Sequence, residues 1–239
     1  GPNAYISGSQ GTIVTGEFPW DLKVVDLHTS DWLEGIAAST NVLVAVGDNG
    51  AIYTGPDGSN WQRINEFTTW LRGVAWGLGR FICVGETGFL ATSLDGRNWE
   101  EKSLDTIENL NRVAFIQNTF WVLGDNGTFF TNDPSMTFRS VEVGVTNDLF
   151  AVAASTNEVL IVGDSTVILR NNTNSVWTVQ TDPSDPTLAP IWPYYSALWD
   201  GRLFLLGGRN GMKVEGYRTN STDPLVWYSD VQTSRNWIW

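Results

Sequence analysis

The chain has 239 residues and a net charge of −12; only 17% of it is charged, while 13% is aromatic, including 13 tryptophans. That balance excludes a nucleic-acid surface, which needs clustered Lys and Arg, and argues against docking on an anionic membrane. A single cysteine, Cys83 in the apolar run FICVG, excludes an internal disulfide and reads as a buried thiol. No apolar run approaches the roughly 20 residues that cross a bilayer. Gly1-Pro2 reads as the scar of a cleaved tag.

From residue 3 onward the chain repeats. A glycine ends an apolar run at Gly8, Gly47, Gly85, Gly124, Gly163 and Gly207, in steps of 39, 38, 39, 39 and 44 residues. Each unit predicts four short strands. The first is small and apolar: GIAAS (35–39), GVAWG (73–77), RVAFI (112–116), AVAAS (151–155) and YSALW (195–199). The second is the run ending at the glycine. A tight turn follows, clearest at Asp48-Asn49-Gly50 and Asp125-Asn126-Gly127, where Asn-Gly supplies the positive φ angles of a two-residue hairpin loop. The third strand alternates, as in AIYTG (51–55). The fourth opens on an aromatic: Trp20, Trp61, Trp99, Phe138, Trp177 or Trp227. Helical periodicity is absent.

Units of about 40 residues, each with four strands and an aromatic in the outer one, are β-propeller blades. The expectation is an all-β, six-bladed propeller of four antiparallel strands per blade, forming one domain over 1–239. The first unit begins at its second strand, while the chain's end, TSRNWIW (233–239), matches TSDWLEG (29–35). The first blade is therefore expected to be 3–30 plus 233–239, which would leave no open sheet edge.

TSLDGRNW (92–99) and TGPDGSNW (54–61) resemble the Asp-box, or BNR repeat, of sialidase-like propellers, one residue short of its usual spacing; TNDPSMTF (131–138) lacks the Gly. The whole unit is more similar to the repeats of Ycf48-like photosystem-assembly propellers, a pattern also found in bacterial surface and phage tail proteins. The resemblance implies a fold and leaves function open, because propellers host many activities.

Catalytic sets are poorly supplied. Sialidases bring three arginines onto the substrate carboxylate; Arg72, Arg112, Arg202 and Arg209 follow no repeating register, and the Arg-Ile-Pro signature is missing. His28, the sole histidine, reads as a surface residue, and one His with one Cys cannot build a His/Cys zinc site. Two-carboxylate glycoside hydrolysis needs only a pair from 26 acids, so the pattern does not discriminate.

Three registers stand out. The hairpin turns carry Asp48, Glu86, Asp125 and Asp164, either as turn formers or as a negative ring suited to Ca²⁺ or a cationic partner. Ahead of the inner strands lie Trp32, Trp70, Trp192 and Trp237, with Asn109 and Asp148 in two units; these tryptophans are either wedges between blades or exposed platforms for sugars or partner side chains. Glu34, Arg72, Asn111 and Phe150 change charge and size from unit to unit, which places them at the channel mouth rather than in a core. The loop TDPSDPTLAP (181–190) adds length on the same face.

The functional expectation is a non-enzymatic recognition module that needs no cofactor. It would be extracellular, on a cell surface or on a virion, within a larger polypeptide or assembly, and bind a glycan or protein receptor through the Trp face. Two alternatives are a Ycf48-like assembly factor holding a membrane-protein precursor, and a glycoside hydrolase. No basic patch is visible, and Ycf48-like propellers have seven blades, which weighs against the first alternative.

Overall fold

The computed structural model describes residues 3–17, 21–65, 67–171, 176–180, 193–208, 212–217 and 225–231. Among these residues every regular element but two single-turn 3₁₀ segments is a strand, and each sheet is a meander in which neighbours in sequence pair antiparallel. The first sheet is β1 (Asn3–Ser7), β2 (Thr12–Glu17) and β3 (Asp21–Asp26). The second is β4 (Leu33–Ala38), β5 (Leu43–Gly47), β6 (Ala51–Gly55) and β7 (Gln62–Asn65); the third is β8 (Leu71–Gly77), β9 (Arg80–Gly85), β10 (Leu90–Ser93) and β11 (Glu100–Lys102). The fourth is β12 (Leu110–Ile116), β13 (Thr119–Gly124), β14 (Phe129–Asn132) and β15 (Phe138–Ser140). The fifth is β16 (Leu149–Ala154), β17 (Glu158–Gly163), β18 (Thr166–Asn171) and β19 (Trp177–Val179); the sixth is β20 (Tyr194–Trp199), β21 (Phe204–Gly208), β22 (Met212–Tyr217) and β23 (Val226–Val231).

The six-bladed expectation is overturned. Among the described residues there are five four-stranded blades, and the first sheet has three strands in the order β1-β2-β3. Its β1 follows the pattern of the other sheets' second strand, so among the described residues it is the small-residue inner strand that has no counterpart. The segment expected to supply it, 233–239, lies outside the described residues.

The chain forms two compact units, Gly1–Val122 with Thr131–Phe138 and Leu123–Phe130 with Arg139–Trp239; the fourth sheet contributes residues to both. Within the first unit the inner strands β4, β8 and β12 are neighbours. Small residues permit that approach: a Cβ on Gly35 would lie 3.1 Å from the Val74 amide nitrogen, and one on Gly73 would lie 3.2 Å from that of Val113. The second strands are the most buried, and Val44, Val46, Phe81, Cys83 and Trp99 share one core cluster. Burial pushes the Cys83 thiol pKa up, as expected for an inert thiol. In the second unit Leu160, Val162, Phe204 and Leu206 play the same part, with Trp227 covering them.

The hairpin turns confirm the Asn-Gly reading. Asn49 and Gly50 both have positive φ (52° and 64°), and the Ala51 amide donates to the Asp48 carbonyl. Gln10-Gly11 and Thr87-Gly88 adopt the same sense without an Asn-Gly pair. The glycine also docks the following blade: the amides of Gly11 and Gly88 donate to the carbonyls of Asp31 (2.8 Å) and Glu108 (2.8 Å). Asp31, which sequence reasoning overlooked, is buried; its carboxylate accepts from Tyr53 Oη (2.7 Å) and Arg63 Nε (3.2 Å), fixing the lead-in to β4.

The Asp-box-like turns form self-contained loops. Asp95 accepts from the amides of Arg97 (2.9 Å) and Asn98 (2.8 Å), and the Trp99 indole donates to the Gly96 carbonyl (3.3 Å). Asp57 and Trp61 repeat this around Gly58. The outer aromatic register is structural where it is described: Trp99 and Trp227 are buried, and Trp177 meets Phe129 edge-on at 5.8 Å. Trp20 lies outside the described residues.

Candidate functional site

The register that varies between units has a specific structural cause. In the second, third, fifth and sixth sheets the pairing of the inner strand slips by one residue, at Leu33/Gly35, Leu71/Gly73, Leu149/Ala151 and Tyr194/Ser196. The extra residues are Glu34, Arg72, Phe150 and Tyr195. A bulged residue is unpaired in the ladder and its side chain is re-aimed, which frees the position from core constraints. Tyr195 was missed because the glycine anchor of the last unit is offset by one. Tyr194 pairs with Gly208, as Leu149 pairs with Gly163, so Gly208 rather than Gly207 continues the series.

The same offset corrects the Trp register. A Cβ on Gly47, Gly85 or Gly163 would meet the carbonyl oxygen of Trp32, Trp70 or Asp148, and one on Gly208 would meet that of Pro193. Pro193, not Trp192, therefore holds this position in the sixth sheet. Trp192 and Trp237 lie outside the described residues, as does the 181–190 loop.

In the first unit Arg72, Asn111, Glu86 and Trp70 form one network. Arg72 Nη1 donates to Asn111 Oδ1 at 2.8 Å and Nη2 to Glu86 Oε1 at 3.0 Å, while its guanidinium lies 5.6 Å from the centre of the Trp70 ring. The bulge residue Arg72 of β8 thus meets Asn111 of the neighbouring β12, with the turn acid Glu86 beside it. Asp48 is used differently: Oδ1 accepts from the Trp32 backbone amide at 2.8 Å, and the Asp48 amide donates to the Trp32 carbonyl at 3.0 Å. Asp48 thus ties its turn to the lead-in of β4, while Glu86 is a partner of Arg72.

Glu34 is half-buried. Burial raises its carboxyl above the usual range; the charges of Arg72 and Arg112 pull it down, and that of Asp48 pushes it up. Arg112 is desolvated in turn, which lowers its pKa, with Glu34 acting against that shift. Arg112 was not among the sequence-selected residues. Its signal was a lone Arg in an inner-strand position that is Gly in the two preceding blades.

Trp32 and Trp70 are not wedged out of sight: they are 52% and 38% exposed. Their counterparts Asn109 and Asp148 show what the position contacts. Asn109 Oδ1 accepts from the Thr87 amide (3.1 Å) and Asp148 Oδ1 from the Asn126 amide (3.0 Å), each capping the preceding hairpin turn. A tryptophan there trades a polar cap for an exposed ring.

In the second unit Phe150 and Tyr195 form an aromatic pair, centroids 5.2 Å apart. Asp125 and Asp164 occupy their turns: the Asp125 carbonyl accepts from the Thr128 amide (2.9 Å), and the Asp164 amide donates to the Asp148 carbonyl (2.8 Å). Among the described residues no three His, Cys, Asp or Glu side chains come together as a metal centre. His28 is exposed, its backbone amide on Asp26.

Blades of four antiparallel strands with small inner strands define a β-propeller, and solved structures share the fold. A structure described as YCF48 bound to D1 peptide superposes with a TM-score of 0.60 at 16% identity, covering 91% of this chain and 88% of that one. YCF48 from Cyanidioschyzon merolae gives 0.64 at 16% identity, covering 89% and 79%. A structure of U3-55K gives 0.74 at 10% identity, covering 95% and 77%. No family model and no curated protein matches the chain.

Proposed function

We propose that this chain is a non-enzymatic recognition module that binds a segment of a protein partner at the Trp32/Trp70 face of its first unit. The observation that carries this is the pair of exposed tryptophans next to the polar side chains Glu34, Arg72, Asn111 and Arg112. Exposed indoles supply rigid contact area, and the partly desolvated charges supply orientation. One protein of the same fold has been solved with a peptide bound, which supports a peptide over a sugar. The acidic surface and scarcity of lysine suit a secreted, cell-surface or virion setting within a larger assembly. The assembly-factor alternative uses the same chemistry, with a membrane-protein segment as partner.

The test is a peptide library and a glycan array screened in parallel, the best binder then titrated against a Trp32→Ala/Trp70→Ala variant. Peptide binding weakened at least about tenfold in the variant supports the reading, being the loss of about 1.4 kcal/mol. Glycan binding with silence on peptides would replace it. Undiminished binding in the variant would move the site elsewhere.

A further inference from the structure

The second and third sheets present the same three positions with different occupants. In the third, Trp70, Arg72 and Glu86 form a filled arrangement: the guanidinium lies over the indole and pairs with the turn carboxylate at 3.0 Å. In the second, the equivalents are Trp32, Glu34 and Asp48. The equivalence is structural, because both inner strands bulge at the middle residue and both turn acids donate their amide to the tryptophan carbonyl, at 3.0 and 3.1 Å. The second sheet therefore keeps the indole and the turn carboxylate, replaces the guanidinium with a second carboxylate, and supplies no cation of its own at these positions.

Resting on the peptide reading above, we propose that Trp32, Glu34 and Asp48 form a receptor for an arginine side chain of a basic partner segment. The third sheet shows how the protein itself satisfies such a frame. Three observations favour an incoming cation. Trp32 is 52% exposed where Trp70, under its guanidinium, is 38% exposed. Asp48 spends Oδ1 on the Trp32 amide, and among the described residues Oδ2 takes no hydrogen bond, so one carboxylate oxygen is available. Glu34 and Asp48 are close enough that the Asp48 charge opposes ionisation of Glu34, a repulsion that a shared cation relieves. Arg72 and Arg112 already offset part of the Glu34 charge, which leaves Asp48 as the principal anchor. Arginine fits better than lysine, because a planar guanidinium can lie over the indole and still donate to a carboxylate, as Arg72 does over Trp70 and to Glu86. The net charge of −12 draws a basic segment toward the protein at long range.

The experiment is a titration of the ¹⁵N-labelled chain with N-acetyl-argininamide and, separately, with its neutral isostere N-acetyl-citrullinamide, following the Trp32 indole resonance assigned from a Trp32→Phe spectrum. Arginine is expected to shift the resonance with an affinity at least about tenfold above citrulline, as a charge-assisted pair of about 1.4 kcal/mol requires. Asp48→Asn keeps the acceptor for the Trp32 amide and is expected to abolish that preference. Glu34→Arg, which places a guanidinium where the third sheet has one, is expected to block the response from within. Equal responses to the two compounds, no response to either, or an unchanged preference in Asp48→Asn would overturn the receptor. A library peptide that binds wild type and Asp48→Asn equally, but not the Trp32→Ala/Trp70→Ala variant, would overturn the receptor while leaving the module reading intact.

Discussion

The second and third sheets are built to one plan and finished differently. Both have a bulged inner strand, a buried second strand, a turn with two positive φ residues and an Asp-box-like loop. They differ in what fills the plan. Leu43 and Ala45 in the second sheet stand where the third has Phe81 and Cys83; Glu34 and Asp48 stand where the third has Arg72 and Glu86. The first difference is internal and concerns packing. The second falls on the bulge and the turn, where side chains are freed from the ladder, and changes charge. Repetition fixes the frame, and the chain varies where the frame tolerates change.

The comparison can be broken first in the core. Phe81 is fully buried against Trp76 (4.5 Å) and near Trp99 (6.4 Å). Phe81→Ala is expected to cost about 3–5 kcal/mol in urea unfolding, and Leu43→Ala about 2–3, since the smaller side chain leaves the smaller cavity. Equal costs would show that the sheets do not differ in packing as their volumes imply. Next come the turns, where the sheets should agree. A Cβ on Gly50 would lie 2.0 Å from the Phe67 carbonyl oxygen, and one on Gly88 2.2 Å from that of Thr106, both at positive φ. Gly50→Ala and Gly88→Ala are each expected to cost about 2–4 kcal/mol, from the left-handed backbone plus a clash with main chain. A marked difference between them would mean that the two turns dock the next blade differently.

This division explains what the sequence made legible. The strand plan, the turn chemistry and the outer aromatics follow from local rules of period 2 and positive φ, so they could be read directly. The blade count could not, because pairing of a chain's far ends is not a local property. The bulge register was visible as variation between Glu34, Arg72, Asn111 and Phe150, but its cause was hidden; a bulge is a slip in pairing that leaves no mark on one strand alone. Tyr195 and the misassigned Trp192 were casualties of the same slip, since Gly207-Gly208 offered two anchors and only pairing chooses between them. Arg112 was missed because it entered a position that small residues hold elsewhere, Gly35, Gly73, Ala151 and Ser196.

The bulge residues sharpen the comparison with effects of opposite sign. Arg72→Gln strands Glu86 and uncovers Trp70, and is expected to cost about 1–2 kcal/mol, the range for a half-buried hydrogen bond to a charged group. Glu34→Gln is expected to stay within about 0.5 kcal/mol at neutral pH, or to stabilise, because it removes a carboxylate that burial disfavours. The sign follows from linkage. The folded-state pKa of Glu34 is raised above its reference value of 4.5, so the folded chain holds the proton more tightly than the unfolded one. Its destabilising contribution is absent below 4.5, grows as pH rises through the folded value and is complete above it.

Asp95 is expected to show the reverse slope. Burial alone would raise its carboxyl, but the amides of Asn98 and Arg97, with the Asn98 amide group and the Ser93 hydroxyl, hold it at about 2, below its reference 3.8. Its contribution to stability is therefore complete above 3.8 and lost as pH falls toward about 2. Asp95→Asn is expected to flatten the acid limb in that window, and Glu34→Gln to flatten the limb above 4.5. Measured as unfolding midpoints against pH, the two variants should bend the wild-type curve in opposite directions. If both flatten the same limb, the Glu34 carboxylate is stabilised by its arginines rather than strained by burial, and the second sheet would already have its cation.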